Sequence, residues 1–467
     1  MLAKERVGRL LFKLSMPSIV GMMVQALYNI VDTIFVGKGI GTVGIGAIAV
    51  VFPMQMLIMA LSQTVGVGGA SRISRRMGAG DSKGVAITYG NMVILAEILG
   101  VIVLILGLVF MVPLLRLFGA TEEILPYAME YFQIIFFAVP VLTLAIVNSA
   151  AARAEGNAKV AMLTMLSGSV LNIILDPIFI FSLDMGIRGA ALATLISMST
   201  TSCFLLIYFV SGRSEIPVGF GYLRLKADII REIFAVGSSS FAMAGAMSFT
   251  MALVYNTLRS LGGTVEIAAF GIIHRVFSFI FMPVMGLTQG MQPVVGFNYG
   301  AGQFHRVRRG IKLTGMSATV ISTTGFLVMV LFPEAIIGTF TSDPDLLRVG
   351  KEALVYCIFG MPLAGLQIIG GGLFQALGKS IHALILTLSR QVLILIPLML
   401  TLPHLLGVKG VWLSFPAADS FSFFLTMFFV IWAMKNLPAA PPLSSRPPSG
   451  IPLLSYPSPL KGDMGEG

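Results

Sequence analysis

The chain has 467 residues, of which 56% are hydrophobic and 11% charged, and its mean hydropathy is +0.92. Because soluble domains carry about twice that share of charge, this composition excludes large soluble domains and indicates a membrane protein. The formal net charge of +10 does not indicate a nucleic-acid partner, since Lys and Arg lie in short clusters between apolar runs. The two cysteines, Cys203 and Cys357, both lie within apolar runs, which excludes a disulfide framework and a cysteine-based metal site.

Twelve apolar runs are long enough to cross a bilayer, which takes about 20 residues of helix. In chain order, the first six cover residues 14–36, 46–69, 85–112, 127–152, 161–183 and 189–211. The second six cover residues 233–258, 266–290, 311–333, 353–374, 381–405 and 410–434. The predicted fold class is therefore an all-α integral membrane protein with twelve transmembrane helices.

The basic residues of the loops predict the orientation of these helices. Lys and Arg total 22 on the side of both termini and only 7 on the opposite side. Because cytoplasmic loops carry an excess of Lys and Arg, we expect both termini in the cytoplasm and the protein in the cell membrane. Residues 438–467 are rich in Pro, Ser and Gly, and this composition predicts a disordered tail.

An internal repeat relates residues that lie about 222 positions apart. The matching sets are Pro140, Ala154 and Gly156 with Pro362, Ala376 and Gly378, and Gly78-Ala79-Gly80 with Gly300-Ala301-Gly302. The offset covers six helices, an even number, so the two halves enter the membrane in the same orientation. We predict two pseudo-symmetric six-helix lobes around a central cleft, at residues 1–212 and 233–437, joined by a cytoplasmic loop at 213–232.

Polar residues at membrane depth form two stripes in the first lobe. Gln25, Asn29 and Asp32 have i, i+4, i+7 spacing and therefore share one helix face. Asn172 and Asp176 are four residues apart, and Pro177 cannot donate a backbone hydrogen bond to Ile173. Ionisable side chains within a bilayer are costly and mark functional sites.

Counting residues from the end of each run predicts that Asp32, Asp176, Thr194 and Tyr131 lie within about 5 Å of one another in depth. All four are therefore expected to line a cavity in the outer half of the first lobe. The alternative is that the two carboxylates only hold helices together by hydrogen bonding with Asn and Thr. In the second lobe, Asp419 and Arg275 have equal predicted depth, which predicts a structural ion pair, with Arg390 as a more distant alternative partner.

These residues lie in segments that resemble the multidrug and toxic compound extrusion (MATE) family of antiporters. The resemblance covers all of the chain except the tail. The segments that carry it are LSMPSIVGMMVQALYNIVDTIFVG, SQTVGVGGASRISRRMGAGD, ARAEGNAK, LNIILDPIFIF, LTQGMQPVVGFNYGAG and SRQVLILIP.

The resemblance implies an antiporter that exports organic, often cationic, compounds in exchange for inward protons or sodium ions. It implies a cation site at Asp32, Asn172, Asp176 and Thr194, a bend of the first helix at Pro17, and cavity-lining roles for Gln25 and Tyr131. Asn29 is added to the predicted cavity-lining residues because it belongs to the same polar stripe as Gln25 and Asp32. Coupling through helices 7 and 10 is not expected, since Ser238–Asn256 and Phe359–Gln375 contain no Asp or Glu.

The residues themselves do not choose between the two coupling ions. Two carboxylates out of water can share a proton, and with Asn and Thr oxygens they equally suit a sodium ion. The alternative function is a flippase for a lipid-linked saccharide, which needs a strongly basic cleft, whereas these helices hold two arginines against four acids. No arrangement of catalytic residues indicates an enzyme. We expect a monomer in the lipid bilayer, with no cofactor, no resident metal and small organic cations as substrates.

Overall fold

The computed structural model of the chain describes residues 1–438, apart from the side chains of Asn29 and Thr42. The predicted tail therefore lies outside the described residues, except for Pro438. Within the described part, the secondary structure is entirely helical. The helices of the first half are α1 (Val7–Ile40), α2 (Thr42–Gly78), α3 (Ser82–Val109), α4 (Met111–Leu117), α5 (Leu125–Phe137), α6 (Val139–Ala154), α7 (Ala158–Pro177) and α8 (Gly186–Val210). Those of the second half are α9 (Ala227–Leu261), α10 (Thr264–Gly300), α11 (Phe304–Leu331), α12 (Pro333–Gly338), α13 (Pro344–Ile358), α14 (Met361–Leu377), α15 (Ser380–Leu388), α16 (Ile396–Leu406) and α17 (Val408–Asn436).

The described helices provide ten candidate membrane crossings, or twelve when each of two bent helix pairs counts as one crossing, the number that the hydropathy pattern predicts. Ten segments of the described residues are long and apolar enough to cross singly, and two of these include π-helical turns, at Ile178–Ser182 and Ser389–Leu395. The other two crossings are bent pairs, α5 with α6 at 49° and α13 with α14 at 55°. Pro140 and Pro362 lie at the start of the second helix of each pair. Proline lacks an N–H group, so it begins a helix readily but does not continue one.

The two halves repeat each other in helix boundaries. The starts of α2 and α10, of α3 and α11, of α7 and α15, and of α8 and α17 are each separated by 222 residues. The two bent pairs also occupy equivalent places. This agreement accords with two six-helix lobes of the same orientation, α1–α8 and α9–α17.

Several helices are longer than their apolar runs, and α2 and α10 extend furthest beyond them. The runs predicted at 46–69 and 266–290 belong to α2 and α10, each of 37 residues, which corresponds to about 55 Å against a hydrocarbon core of about 30 Å. Both helices continue to Gly78 and Gly300, past the polar segments predicted as loops. The loop predicted at 213–232 is also shorter, because α9 begins at Ala227.

The extended ends of α2 and α10 cross at the face of the bundle on which α1 begins, which we call the N-terminal face. A Cβ atom on Gly78 would overlap the carbonyl oxygen of Phe297, and one on Gly300 would overlap that of Arg75. Gly78 and Gly300 are equivalent in the repeat. The lobes therefore meet here backbone to backbone, at a distance that only glycine allows.

Ion pairs join the lobes beside this crossing. Arg75 of α2 donates from Nη2 to Oε1 of Glu232 of α9 at 2.8 Å, and Arg72 also contacts the Glu232 carboxylate. Both arginines are almost fully buried, at 8% exposure for Arg72 and 6% for Arg75. The polar end of α2 is helical because its charges find partners in the other lobe. A hydropathy profile cannot detect this pairing.

We predict that Gly300→Ala destabilises the protein, since the added Cβ would overlap the Arg75 carbonyl oxygen. Overpacking of this kind costs roughly 1–3 kcal/mol. Thermal unfolding of the purified protein in detergent measures the effect. The control is Gly271→Ala on the same helix, where a Cβ meets no atom within 4 Å; this variant should be as stable as the native chain or more so. Equal unfolding midpoints for Gly300→Ala and the native chain would contradict the close crossing.

Candidate cation-coupling site

The polar side chains of α1, α7 and α8 converge in the first lobe. Asp176 is the next-to-last residue of α7, and Pro177 ends that helix before the π-helical turn at Ile178–Ser182. Asp176 is fully buried, Asn172 and Thr194 are nearly so, and Asp32 is half-buried on α1. The structure therefore brings together the four residues predicted to form a cation site.

Asn172 connects α7 to α8. In the amide orientation that satisfies both of its polar atoms, its nitrogen donates to Oδ2 of Asp176 at 2.8 Å. Its oxygen accepts from the backbone N–H of Thr194 at 3.2 Å. Both ends of the Asn172 side chain are thus engaged, and Asn172 sets the orientation of the Asp176 carboxyl group.

The carboxyl groups of Asp32 and Asp176 lie within hydrogen-bonding reach of each other. Oδ1 of Asp176 is buried, and no donor among the described residues reaches it. Two ionised carboxylates in this position repel, and burying an unpaired charge is costly. A proton between the two groups, or a cation bound by both, satisfies this arrangement.

Two tyrosines complete the surroundings of the carboxyl pair. Tyr28 lies beside Thr194, and the buried Tyr131 lies beside Gln55 of α2. Tyr131 was predicted to line the cavity, whereas Tyr28 and Gln55 were missed. The signal for Tyr28 was available, since it lies four residues before Asp32 and so on the same helix face. The only indication for Gln55 was weaker: it is an amide side chain within an apolar run.

Of the remaining predicted cavity residues, Gln25 and Pro17 lie away from this cluster. Gln25 is half-buried on α1, about 10 Å along the helix from Asp32, and the side chain of Asn29 is outside the described part of the chain. Pro17 is buried further along α1, which continues past it as one α-helix. It lies between Ser15 and Ile19, which pack closely against Gly290 and Gly286 of α10.

The second lobe contains an ion pair, which Asp419 forms with the alternative predicted partner rather than with the preferred one. Asp419 of α17 pairs with Arg390, in the π-helical turn, whereas Arg275 is exposed on α10 and belongs to no ion pair of the described residues. Residue counting gives depth along a helix but not which neighbour a side chain meets, and the Arg275 side chain is exposed. Gln367 also donates to the backbone carbonyl of Asp419.

The described residues contain no group of three or more His, Cys, Asp or Glu side chains that could hold a metal ion. The Asp32–Asp176 pair therefore differs from a metal centre of that kind. Two carboxyl groups in contact can take up and release a proton or another small cation.

A family model for MatE matches the chain twice, at residues 17–178 and 239–401. The two matches begin 222 residues apart, as the repeat does. Among curated relatives, the multidrug export protein MepA of Staphylococcus haemolyticus (strain JCSC1435) is 29% identical over 93% of this chain and 95% of that protein. MepA of Staphylococcus aureus (strain MSSA476) is 30% identical over 91% of this chain and 94% of that protein.

Solved structures show the same likeness over nearly the whole chain. The MATE multidrug transporter DinF-BH in complex with R6G is 39% identical, with a TM-score of 0.85 over 93% of this chain and 98% of that one. An outward-facing multidrug resistance MATE family transporter of the MOP superfamily is 28% identical, with a TM-score of 0.88 over the same shares.

We predict that Asp419→Ala lowers the thermal unfolding midpoint, because it leaves the Arg390 guanidinium without its partner. Removing one member of a buried pair costs about 3–5 kcal/mol. The exchange of both residues, Asp419→Arg with Arg390→Asp, should recover part of the loss. The control Arg275→Gln should leave the midpoint unchanged. A fully stable Asp419→Ala variant that fails to transport would place Asp419 in the transport mechanism instead.

Proposed function

Since this chain belongs to the MatE family and is a multidrug efflux antiporter, we propose that the Asp32–Asp176 pair couples its export of organic cations to inward ion movement. The observation that carries this proposal is the contact between two carboxyl groups, one of them fully buried with an oxygen that no donor of the described residues reaches. Such a pair binds a cation in one state of the protein, whereas in the other state the two carboxylates repel each other. A coupling ion must bind the two access states with different affinity.

We propose the proton as the coupling ion. The carboxyl groups are close enough to share one directly. The Asn172 oxygen, one of the neutral ligands that would suit a sodium ion, is already engaged by Thr194 N–H. Sodium would have to draw its ligands from the carboxylates and from the Tyr28 and Thr194 hydroxyl groups.

Helix α1 provides the mechanical connection from this pair to the other lobe. Gly21 of α1 packs against Met165 of α7, while Ser15 donates to the Leu287 carbonyl of α10 at 3.5 Å. Protonation removes the repulsion between Asp32 on α1 and Asp176 on α7. The packing of α1 against α7 and α10 changes as a result. Pro17 lies where α1 meets α10, and its missing N–H weakens the helix there. We propose that α1 bends at Pro17 as the pair changes charge.

The substrate is proposed to occupy the cleft beside α1, where Gln25, Asn29 and Tyr131 contribute polar groups. The relatives are multidrug export proteins, and DinF-BH was solved with R6G bound. These names favour organic substrates over the lipid-linked saccharide of a flippase. We propose that one chain suffices, with no cofactor and no catalytic step, because both lobes and the cleft between them lie within a single chain.

The proposed orientation places both termini in the cytoplasm of a cell whose plasma membrane holds the protein. It rests on the excess of Lys and Arg on the side of the termini, 22 against 7. The N-terminal face is then cytoplasmic, and the contacts of Gly78, Gly300 and Glu232 close the cleft on that side. The proposed domains are lobes at 1–212 and 233–437, with the connection between them on the cytoplasmic face.

We predict that Asp32→Asn and Asp176→Asn each reduce gradient-driven efflux at least tenfold, because an amide keeps the shape of the side chain but cannot take up a proton. Efflux from proteoliposomes is measured alongside equilibrium binding of the same organic cation, which should be largely retained. Glu97→Gln is the control, since Glu97 is a half-buried acid on α3 outside the site. Native efflux in both Asp variants would refute the proposal. Parallel loss of binding would make the aspartates counter-charges of the substrate.

The coupling ion is tested by imposing one gradient at a time across proteoliposomes of the native protein. We expect an inward proton gradient at fixed sodium to drive efflux, and an inward sodium gradient at fixed pH to have no effect. The Asp176→Asn variant should respond to neither. Efflux driven by sodium alone would show that the coupling ion is sodium and not the proton.

A further inference from the structure

The connection between the lobes, residues 211–226, is held against the first lobe at two places; we call it the interlobe segment. At its start, Glu155 accepts from the Ser214 hydroxyl at 2.6 Å and from the Glu215 backbone N–H at 3.0 Å. Glu155 also accepts from the Tyr208 hydroxyl at the end of α8. The beginning of the segment is therefore fixed by a buried carboxylate between α6 and α7.

At its end, Asn91 of α3 holds the segment by its backbone. The Asn91 side chain accepts from the Lys226 N–H at 2.9 Å and donates to the Arg224 carbonyl at 2.8 Å. A Cβ atom on Gly90 would overlap the Tyr222 carbonyl oxygen. The segment thus lies directly on α3, at the level of Gly90 and Asn91.

Gly90 and Asn91 lie at the level of the membrane surface. A hydrocarbon core of about 30 Å corresponds to about 20 helical residues, so counting back from Val109, where α3 ends, reaches Gly90. The first large apolar side chain that α3 exposes is Ile98, two turns deeper. The interlobe segment therefore lies where the headgroups of the leaflet at the N-terminal face begin.

The segment exposes an apolar surface at this level. Phe220, in a short 3₁₀ turn, is 93% exposed, the largest exposed fraction among the large apolar side chains of the described residues. Its exposed apolar neighbours are Val218, Leu223 and Leu225. An aromatic side chain on a surface loop gains free energy when it enters the boundary between headgroups and acyl chains.

Cations flank this apolar surface. Arg213, Arg224 and Lys226 are exposed, and none of them belongs to an ion pair of the described residues. The segment carries one acid, Glu215, against these three cations. Each Lys or Arg near an anionic leaflet favours binding by about 1 kcal/mol, equivalent to roughly fivefold.

We propose that the interlobe segment is a lipid-binding surface, which inserts Phe220 into the leaflet at the N-terminal face and binds anionic phospholipid headgroups through Arg224 and Lys226. The hydrogen bonds of Glu155 and Asn91 hold this surface in one position. The bilayer then holds the connection between the lobes at a constant depth.

The test uses the full-length protein in proteoliposomes, with a tryptophan probe and brominated lipids that quench fluorescence on contact. The Phe220→Trp variant is compared with Lys83→Trp, a matched probe exposed on α3 about 10 Å further from the bilayer. The signal of the native protein, from Trp412 and Trp432, is subtracted. Brominated phosphatidylglycerol and brominated phosphatidylcholine are used in separate preparations.

We expect the Phe220→Trp probe to be quenched at least twofold more than the Lys83→Trp probe, and more strongly by phosphatidylglycerol than by phosphatidylcholine. Adding Arg224→Gln and Lys226→Gln should reduce that preference for the anionic lipid several-fold. A Phe220→Trp probe that brominated lipid does not quench would overturn insertion. Equal quenching by both lipids would overturn the assignment to anionic headgroups.

Discussion

Two carboxyl groups that face each other where water is scarce cannot both keep a full negative charge unless a cation lies between them. Asp32 and Asp176 are held in that relation by the helices that carry them, and Asn172 orients one of the two groups. In the proposed mechanism, the occupancy of the pair sets the force between α1 and α7. Because α1 also packs on α10 of the other lobe, a local change of charge reaches the interface between the lobes.

The two lobes share helix boundaries but differ in how their buried charges are balanced. In the first lobe, Asp176 meets a second acid, and the balance requires an ion from outside the protein. In the second lobe, Asp419 meets Arg390 within the chain itself, and Gln367 bonds its backbone. The first lobe therefore leaves its charge balance open to an outside ion, whereas the second lobe balances its buried acid with a residue of the chain.

The sequence was sufficient to predict the twelve crossings, because every backbone group inside a bilayer must be satisfied within a helix and the helix must be apolar. Depth along those helices also followed from residue counting, which placed Asp32, Asp176 and Thr194 at one level. The direction in which a side chain points around its helix could not be predicted in this way. Arg275, predicted at the depth of Asp419, is exposed while Asp419 pairs with Arg390, and the polar end of α2 pairs with Glu232 of the other lobe.

Gly78 and Gly300 occupy equivalent places in the repeat, and each admits the backbone of the opposite lobe. A six-helix ancestor that paired with a second copy of itself would have needed this glycine once, because a twofold axis presents the same residue to both partners. In the present chain the two glycines are separate residues, and each is needed for its own contact. This crossing therefore offers mutation two target positions, where a symmetric dimer would offer one.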